Sequence, residues 1–199
     1  MSQKLDNLRE TASQTGGPYV HIGCIPSFCG LEGIYPEDLG RSPVSDGARG
    51  EIVTITGSVY DGTGWALRDA LIESWQADAA GIYPGQEGAD PAVSGFCRFA
   101  ADKDSGEWTL RTVKPGRART PDGRTMAPHV ALWIVARGIN TGLQTRLYFA
   151  DEDNSGDPVL ARIEQEPRRR TLIAERTGEG AYRFDIRLQG DGETVFLDM

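Results

Sequence analysis

Few side chains in this sequence of 199 residues could carry out acid–base or metal chemistry. Its histidines are His21 and His129, and its three cysteines show neither CxxC nor CxxH spacing. The cysteine spacing disfavours both a zinc site and a disulfide framework, so we expect ordinary reduced thiols. A histidine without ligand neighbours usually forms hydrogen bonds within a core or an interface, and we therefore expect neither histidine to be catalytic.

Sequence patterns of other catalytic and binding sites are also missing. The chain has no GxSxG nucleophile turn and no glycine-rich phosphate loop of the GxGxxG or GxxxxGK[ST] type. Acidic residues are plentiful, but they lack the spacing of a calcium-binding EF-hand, and such clusters usually lie in solvated loops. A net charge of −8 disfavours nucleic acid as a partner, because phosphate binding needs clustered positive charge.

The sequence carries no signal for membrane insertion or secretion. Residues 1–17 are polar and lack the apolar stretch of a secretion signal, and apolar runs of about 18 residues do not occur. We therefore predict that the protein has no membrane partner and is cytoplasmic.

Alternating apolar and β-branched residues begin at Glu51 and predict an all-β fold. We expect EIVTITGSVY and LRDALIESWQ to form an antiparallel hairpin through the turn DGTG, and residues 157–165 to form a helix. The other predicted strands are 94–100, 106–113, 129–136 and 144–150, with RTLIAER, AYRFDIRL and ETVFLDM near the end of the chain. Many short strands separated by glycine-rich turns are typical of a β-sandwich, here with mixed or antiparallel strands and one or two short helices.

The first fifty residues follow no such pattern. Glycines and prolines interrupt every apolar run before it could become a helix or a long strand. A segment of this length attached to a folded domain is more often an arm on another surface than a free loop. We therefore predict an irregular N-terminal arm over residues 1–50 that contacts a partner subunit, and a sandwich domain over residues 51–199.

The segment 106–132 carries the clearest resemblance to a known family. It contains Lys114-Pro115-Gly116 between two predicted strands, and the second of these strands begins with His129. This arrangement resembles the iron-binding region of the intradiol ring-cleavage dioxygenases. Further blocks extend the resemblance over nearly the whole chain after residue 10: SQTGGPYVHIG, WQADAAGIY, ARGIN, TRLYF and RFDIRLQGDGETVFLDM. It implies a β-sandwich of the same ancestry.

The same resemblance implies that most iron ligands are missing from this chain. Catalytic members of the family hold a non-haem Fe(III) with two tyrosines and two histidines. His129 matches the first histidine, but Ala131 stands at the second, and Ala118 stands where the loop tyrosine is expected. Tyr83 lies in the loop where the other tyrosine is expected, and we interpret it as structural. Because such an iron needs tyrosinate and imidazole ligands, we expect no metal site in this chain and a packing role for His129.

The blocks are most similar to the alpha subunits of heteromeric family members. The resemblance then implies that Fe(III) is bound by a partner beta subunit, within a hetero-oligomer of alpha-beta pairs. It implies that the complex cleaves protocatechuate with O2 to 3-carboxy-cis,cis-muconate, and that this chain by itself is inactive. It also places four residues of this chain at the border of the substrate pocket: Thr15, Gly17, Tyr19 and Arg137.

Two other interpretations of the sequence stay open. One is a stand-alone β-sandwich binding module with a transthyretin-like or carbohydrate-binding surface. The other is a self-sufficient dioxygenase that uses ligands outside the family pattern. For Tyr19 and Arg137, plain interface packing is the alternative to contact with a substrate.

Overall fold

Eleven strands and two short α-helices make up the regular structure of the described residues, which are 15–17, 19–140 and 142–198 of this computed structural model. The helices are α1 (Tyr19–Cys24) and α2 (Glu166–Arg170), and two 3₁₀ turns span Pro26–Cys29 and Leu160–Arg162. The strands are β1 (Ile52–Tyr60), β2 (Leu71–Trp75), β3 (Phe96–Ala100), β4 (Glu107–Val113), β5 (Ala118–Arg119), β6 (Thr125–Met126), β7 (His129–Val135), β8 (Leu143–Phe149), β9 (Ile173–Gly178), β10 (Ala181–Arg183) and β11 (Ile186–Arg187).

Nine of these strands form one mixed sheet that curls around the core. Its strand order is β11-β1-β10-β9-β8-β7-β2-β3, and β4 pairs with the other side of β1. The pairings of β1 with β10 and β11 and of β8 with β9 are parallel, and the other pairings in this sheet are antiparallel. The all-β prediction, with mixed pairing and a sandwich-like core, is confirmed.

The hydrophobic core lies between the two arms of the curled sheet. Val53 and Ile55 of β1 belong to the same buried cluster as Val130 and Leu132 of β7, although β1 and β7 are not neighbours in the sheet. Along β7, the residues between these core positions point the other way, because successive side chains of a strand alternate between its faces. His129, Ala131 and Trp133 therefore lie on the face of β7 that turns away from the main core.

The predicted hairpin between β1 and β2 is wrong in its pairing. The DGTG turn forms, with Asp61 accepting hydrogen bonds from the backbone of Thr63 and Trp65, and a single bridge joins Tyr60 to Ala66. Strand β2 then pairs with β3 and β7, so the turn carries the chain from one part of the sheet to another. The strands that pair with β2 lie further along the chain, so the sequence of the turn does not identify them.

Three further differences concern short elements. The helix predicted over 157–165 is limited to the 3₁₀ turn, because Ile163 is extended, and α2 begins only at Glu166. The predicted strand ETVFLDM is not a strand over residues 193–198, although the backbone N–H of Leu197 donates to the carbonyl of Gln144 at 2.8 Å. The N-terminal segment, expected to lack helices, contains the six-residue helix α1. Within the part of the chain that the structure describes, no helix has both the length and the apolarity needed to cross a membrane.

Candidate functional site

Two loops that pack backbone against backbone bring the ends of β2 and β4 together. Gly81, in the loop after β2, has φ +80°, and a Cβ built there would lie 1.9 Å from the carbonyl oxygen of Arg117. A Cβ on Gly116 would lie 2.4 Å from the carbonyl oxygen of Ala79. Because only glycine permits both approaches, the KPG sequence fixes the start of β5 against the loop that carries Tyr83. Ala118 of β5 and Tyr83 accordingly pack in one small apolar cluster.

The first residues of β7 face this same region. His129, Ala131 and Trp133 share the face away from the main core, since the residues between them belong to the core cluster. In the antiparallel register, Ala131 lies opposite Arg146 of β8 on one side and opposite Trp75 of β2 on the other. The position where the resemblance leads one to expect a second histidine is therefore flanked by an arginine and a tryptophan.

His129 is buried, and both of its ring nitrogens already have partners. Its Nδ1 lies 2.8 Å from the carbonyl oxygen of Ala127, which can only accept, so Nδ1 carries the proton. Its Nε2 lies 3.4 Å from the hydroxyl of Tyr83 and is left to accept from it. Burial, with a further contribution from the charge of Arg146, lowers the pKa of His129 to about 4. The imidazole is therefore neutral at neutral pH.

Tyr83 is held in its neutral form as well. Burial raises the pKa of Tyr83, although the charge of Arg146 opposes this shift. Its ring stacks on Trp75, with ring centroids 6.1 Å apart and planes inclined by 11°. The hydroxyl thus stays protonated, donates toward His129 and is not a tyrosinate. This supports a packing role for both residues.

A second buried network continues from His129 to Asp157. The Asp157 carboxylate accepts hydrogen bonds from the Ala127 backbone at 2.9 Å and from the Tyr148 hydroxyl at 3.0 Å. Burial raises the pKa of Tyr148, which keeps its hydroxyl available as a donor. The guanidinium of Arg146 donates to the thioether of Met126 at 3.5 Å and also hydrogen-bonds with Tyr148. Positive charge in this region therefore comes from a side chain of the protein itself.

A different surface forms just beyond the other end of β7. The hydroxyl of Thr15 donates to the carbonyl of Ala136 at 3.3 Å and accepts from the backbone N–H of Gly138 at 2.9 Å. This clamps the segment containing Thr15 onto the turn that carries Arg137. The guanidinium of Arg137 donates to the carboxylate of Asp69 and borders a cavity of about 480 Å³.

The structure thus brings two of the four predicted pocket residues to one surface, namely Thr15 and Arg137. Gly17 lies in the same segment as Thr15, and its carbonyl accepts from Val20 at the start of α1. Tyr19 opens α1 and is 79% exposed. Its ring is available to a partner or a ligand.

The comparisons with known proteins agree with this architecture. A family model described as Dioxygenase matches residues 26–190. The chain is 50% identical to a protocatechuate 3,4-dioxygenase alpha chain of Pseudomonas putida, over 98% of each chain. The chain belongs to the intradiol dioxygenase family. It is also 32% identical to a protocatechuate 3,4-dioxygenase beta chain of Burkholderia cepacia, over 83% of this chain and 77% of that one.

Solved structures support the fold assignment. An intradiol ring-cleavage dioxygenase from Tetranychus urticae aligns with a TM-score of 0.59 at 17% identity, covering 77% of this chain and 88% of that chain. At this identity the likeness concerns the fold. The recognition of an intradiol dioxygenase from KPG and the ordered short blocks is confirmed.

The intradiol dioxygenase family depends on non-haem iron, and the residues around His129 do not fit such an ion. The Nε2 that would ligate a metal accepts from Tyr83, and alanines stand at positions 118 and 131. The guanidinium of Arg146 also lies close enough to lower the pKa of His129, and a metal cation would meet the same repulsion. Over residues 15–17, 19–140 and 142–198, no three His, Cys, Asp or Glu side chains are grouped so as to hold a metal ion.

Two residues of these sites were missed in the sequence. Arg146 lies within the TRLYF block, but its position opposite Ala131 depends on the register of β7 with β8. Asp69 lies before β2 and meets Arg137 across 68 positions of sequence. Neither contact has a local sequence signal, whereas the positions of Ala118 and Ala131 could be read directly from the motif.

Proposed function

We propose that this chain is the alpha subunit of a heteromeric protocatechuate 3,4-dioxygenase and that it pairs with an iron-bearing beta subunit. The complex cleaves protocatechuate between its two hydroxyls with O2 and yields 3-carboxy-cis,cis-muconate. Fe(III) belongs to the beta subunit, and this chain supplies part of the pocket wall and the assembly surface. The relatives named as alpha and beta chains of that enzyme support this assignment over a stand-alone binding module.

The observation that carries the proposal is the clamp between Thr15 and the turn holding Arg137. It sets the segment 15–17 and an exposed guanidinium on one surface, next to an open cavity. Protocatechuate carries a carboxylate and, at a metal, a catecholate, so an arginine and a phenol at the border of its pocket favour binding electrostatically. We assign these pocket-border roles to Arg137 and Tyr19, with Thr15 and Gly17 shaping the wall.

The N-terminal arm provides the contact with the partner in this proposal. Large apolar side chains are exposed along its described part, including Tyr19, Ile34, Tyr35 and Leu39, at 53% to 79% exposure. Three of these residues lie within residues 34–39. Neighbouring exposed apolar residues are typical of interaction surfaces, and obligate interfaces resemble a core cut in half. We infer that the beta subunit covers them.

Kinetics of the alpha-beta complex test the pocket assignment. Arg137→Ala is expected to lower kcat/KM for protocatechuate by about ten- to a hundredfold, since a charge-assisted contact contributes about 1.5 to 3 kcal/mol. Tyr19→Phe is expected to have a smaller effect. Iron content should not change in either variant, because neither residue is a proposed ligand. In the Arg137 variant, kcat/KM should fall less for catechol, which lacks the carboxylate, than for protocatechuate.

The matched control is Arg162→Ala, which removes an exposed arginine from the 3₁₀ turn Leu160–Arg162. It should retain normal kinetics on both substrates. If Arg137→Ala and Tyr19→Phe equal the wild type on both substrates with assembly intact, these residues are interface residues only.

Metal analysis tests where the iron is bound. The isolated chain is expected to contain no stoichiometric iron and to lack the visible tyrosinate-to-Fe(III) absorbance. Its mixture with a beta subunit should carry one iron per pair. A one-to-one iron content in the isolated chain would instead favour a self-sufficient dioxygenase.

A further inference from the structure

A second cavity lies on the outer side of Tyr83, near the positions His129, Ala118 and Ala131 that the resemblance matches to iron ligands. It has a volume of about 680 Å³, between the loop after β2 and the β5–β6 hairpin. Ile82, Tyr83 and Gln86 line one side, and Arg117, Arg119 and Met126 line the other. This volume is within the usual range for pockets that take small molecules. The cavity and the one at Arg137 share no lining residue, so they are separate sites.

The hairpin side of the cavity is positively charged although the protein is acidic overall. Arg117 is partly neutralised, because its Nη2 contacts the Asp153 carbonyl at 2.5 Å and the Asp153 carboxylate at 3.4 Å. Arg119 is exposed, and within the described ranges no carboxylate lies at ion-pair distance from it. Its planar guanidinium can form two parallel hydrogen bonds with a carboxylate.

The floor of the cavity is apolar and firmly held. The Tyr83 ring is fixed by its stack on Trp75, and the Tyr83 hydroxyl directs its proton to His129. The guanidinium of Arg146 donates a hydrogen bond to the sulfur of Met126, which places a further positive charge behind the cavity wall. The floor therefore offers a flat apolar surface without a competing anion, and the hydrogen-bond donors for a ligand are concentrated on the hairpin.

We propose that this cavity is a metal-free binding site for a small aromatic carboxylate. The carboxylate pairs with Arg119, and with the part of Arg117 not engaged by Asp153. The ring lies against Tyr83, Ile82 and Met126. In place of a metal cation, side-chain guanidinium groups supply the positive charge of the site. The proposal does not depend on the assignment of Arg137 to a substrate pocket.

Equilibrium binding to the alpha-beta complex tests this site, with 4-hydroxybenzoate as the probe. Two sites per alpha-beta pair are expected, one at the iron-bearing pocket and one at this cavity. Arg119→Gln should weaken the second site by about ten- to a hundredfold and leave turnover of protocatechuate unchanged. Arg137→Ala should weaken the first site and spare the second. The uncharged methyl 4-hydroxybenzoate should not occupy the second site.

Arg124→Gln is the matched control, because Arg124 lies in the same hairpin but pairs with Asp122. It should leave both sites unchanged. A single site that only Arg137→Ala removes would overturn the proposal and leave the proposed function standing. Two sites that both survive Arg119→Gln would also overturn it. If the chain does not pair with a beta subunit, the same titration of the full chain gives one site, which must be lost in Arg119→Gln.

Discussion

The two ends of strand β7 differ in nearly every physical respect. His129, at its start, is 4% exposed and neutral, and both of its ring nitrogens are bonded to neighbouring groups. Arg137, just past its end, has a side chain that is 71% exposed, charged and paired with Asp69. One strand therefore connects a closed hydrogen-bonded network with an open charged surface.

This difference separates stability from binding. A buried hydrogen-bond donor or acceptor that loses its partner costs about 1 to 3 kcal/mol, so breaking the network around His129 and Asp157 should destabilise the fold strongly. An exposed ion pair contributes about 0 to 1 kcal/mol, so the pair between Arg137 and Asp69 contributes little. Changes at the start of β7 should therefore affect unfolding, and changes at its end should affect ligand binding.

The largest effect is expected from Asp157→Ala. Its carboxylate accepts four hydrogen bonds, from the backbones of Ala127, Val159 and Leu160 and from the Tyr148 hydroxyl. Removing it leaves these donors unsatisfied in a buried region, and the free energy of unfolding should fall by about 3 to 5 kcal/mol. Urea denaturation followed by tryptophan fluorescence measures this change.

Asp104→Ala is the control for this variant, since Asp104 is exposed in a turn. Its free energy of unfolding should stay within about 0.5 kcal/mol of the wild-type value. Equal losses in the two variants would mean that the Asp157 network does not carry the stability we assign to it.

The second effect concerns pH and tests the neutral state of His129. Its pKa is about 4 in the folded chain, against an ordinary value of 6.5. Between these values the unfolded chain binds a proton on this residue and the folded chain does not, so stability falls as the pH falls from 6.5 to 4. The contribution reaches about 3 kcal/mol and is fully present above pH 6.5. His129→Asn should lose less stability over this window.

His21 titrates in the same direction, because burial lowers its pKa as well, although Asp69 opposes the shift. His21→Asn therefore measures its separate share of the pH dependence. If the wild type and His129→Asn lose the same stability between pH 6.5 and 4, the assignment of a neutral buried imidazole is wrong.

The features that could be predicted from the sequence are the strands set by local residue patterns and the residues set by their position in a motif. The strands β1, β3, β4, β7 and β8 follow from alternation of apolar residues, and the alanines at positions 118 and 131 follow from their spacing after KPG. The pairing of β1 with β4 could not be predicted, because the sequence of a DGTG turn is the same whether the flanking strands pair with each other or with other strands. The helix expected over 157–165 starts as predicted, because the Asp157 carboxylate accepts from the N–H groups of Val159 and Leu160 as an N-cap does. It ends after one turn because Ile163 is extended.

The same distinction between local sequence signals and long-range contacts applies to the candidate sites. The resemblance grouped Thr15 with Arg137, and the structure brings their segments into contact. It did not reveal Arg146, whose place opposite Ala131 is a matter of strand register, or the open guanidinium of Arg119. Charges that act across the sheet could be found only with the structure in hand.

The smallest effect on folding is expected from Asp69→Asn at the exposed end of β7. Asp69 holds the Arg137 guanidinium through an ion pair near the surface, so the free energy of unfolding should change by less than about 1 kcal/mol. Binding should respond more, because an unanchored arginine loses side-chain entropy when it meets the substrate. In the alpha-beta complex we expect KM for protocatechuate to rise severalfold, with kcat and iron content nearly unchanged.

In Asp69→Asn the pKa of His21 should fall further, since the charge of Asp69 raises it in the wild type. Asp122→Asn, which breaks the exposed pair with Arg124, should leave KM and the His21 titration unchanged. An unchanged KM in Asp69→Asn, together with a shifted His21 titration, would show that Arg137 does not need this anchor to act.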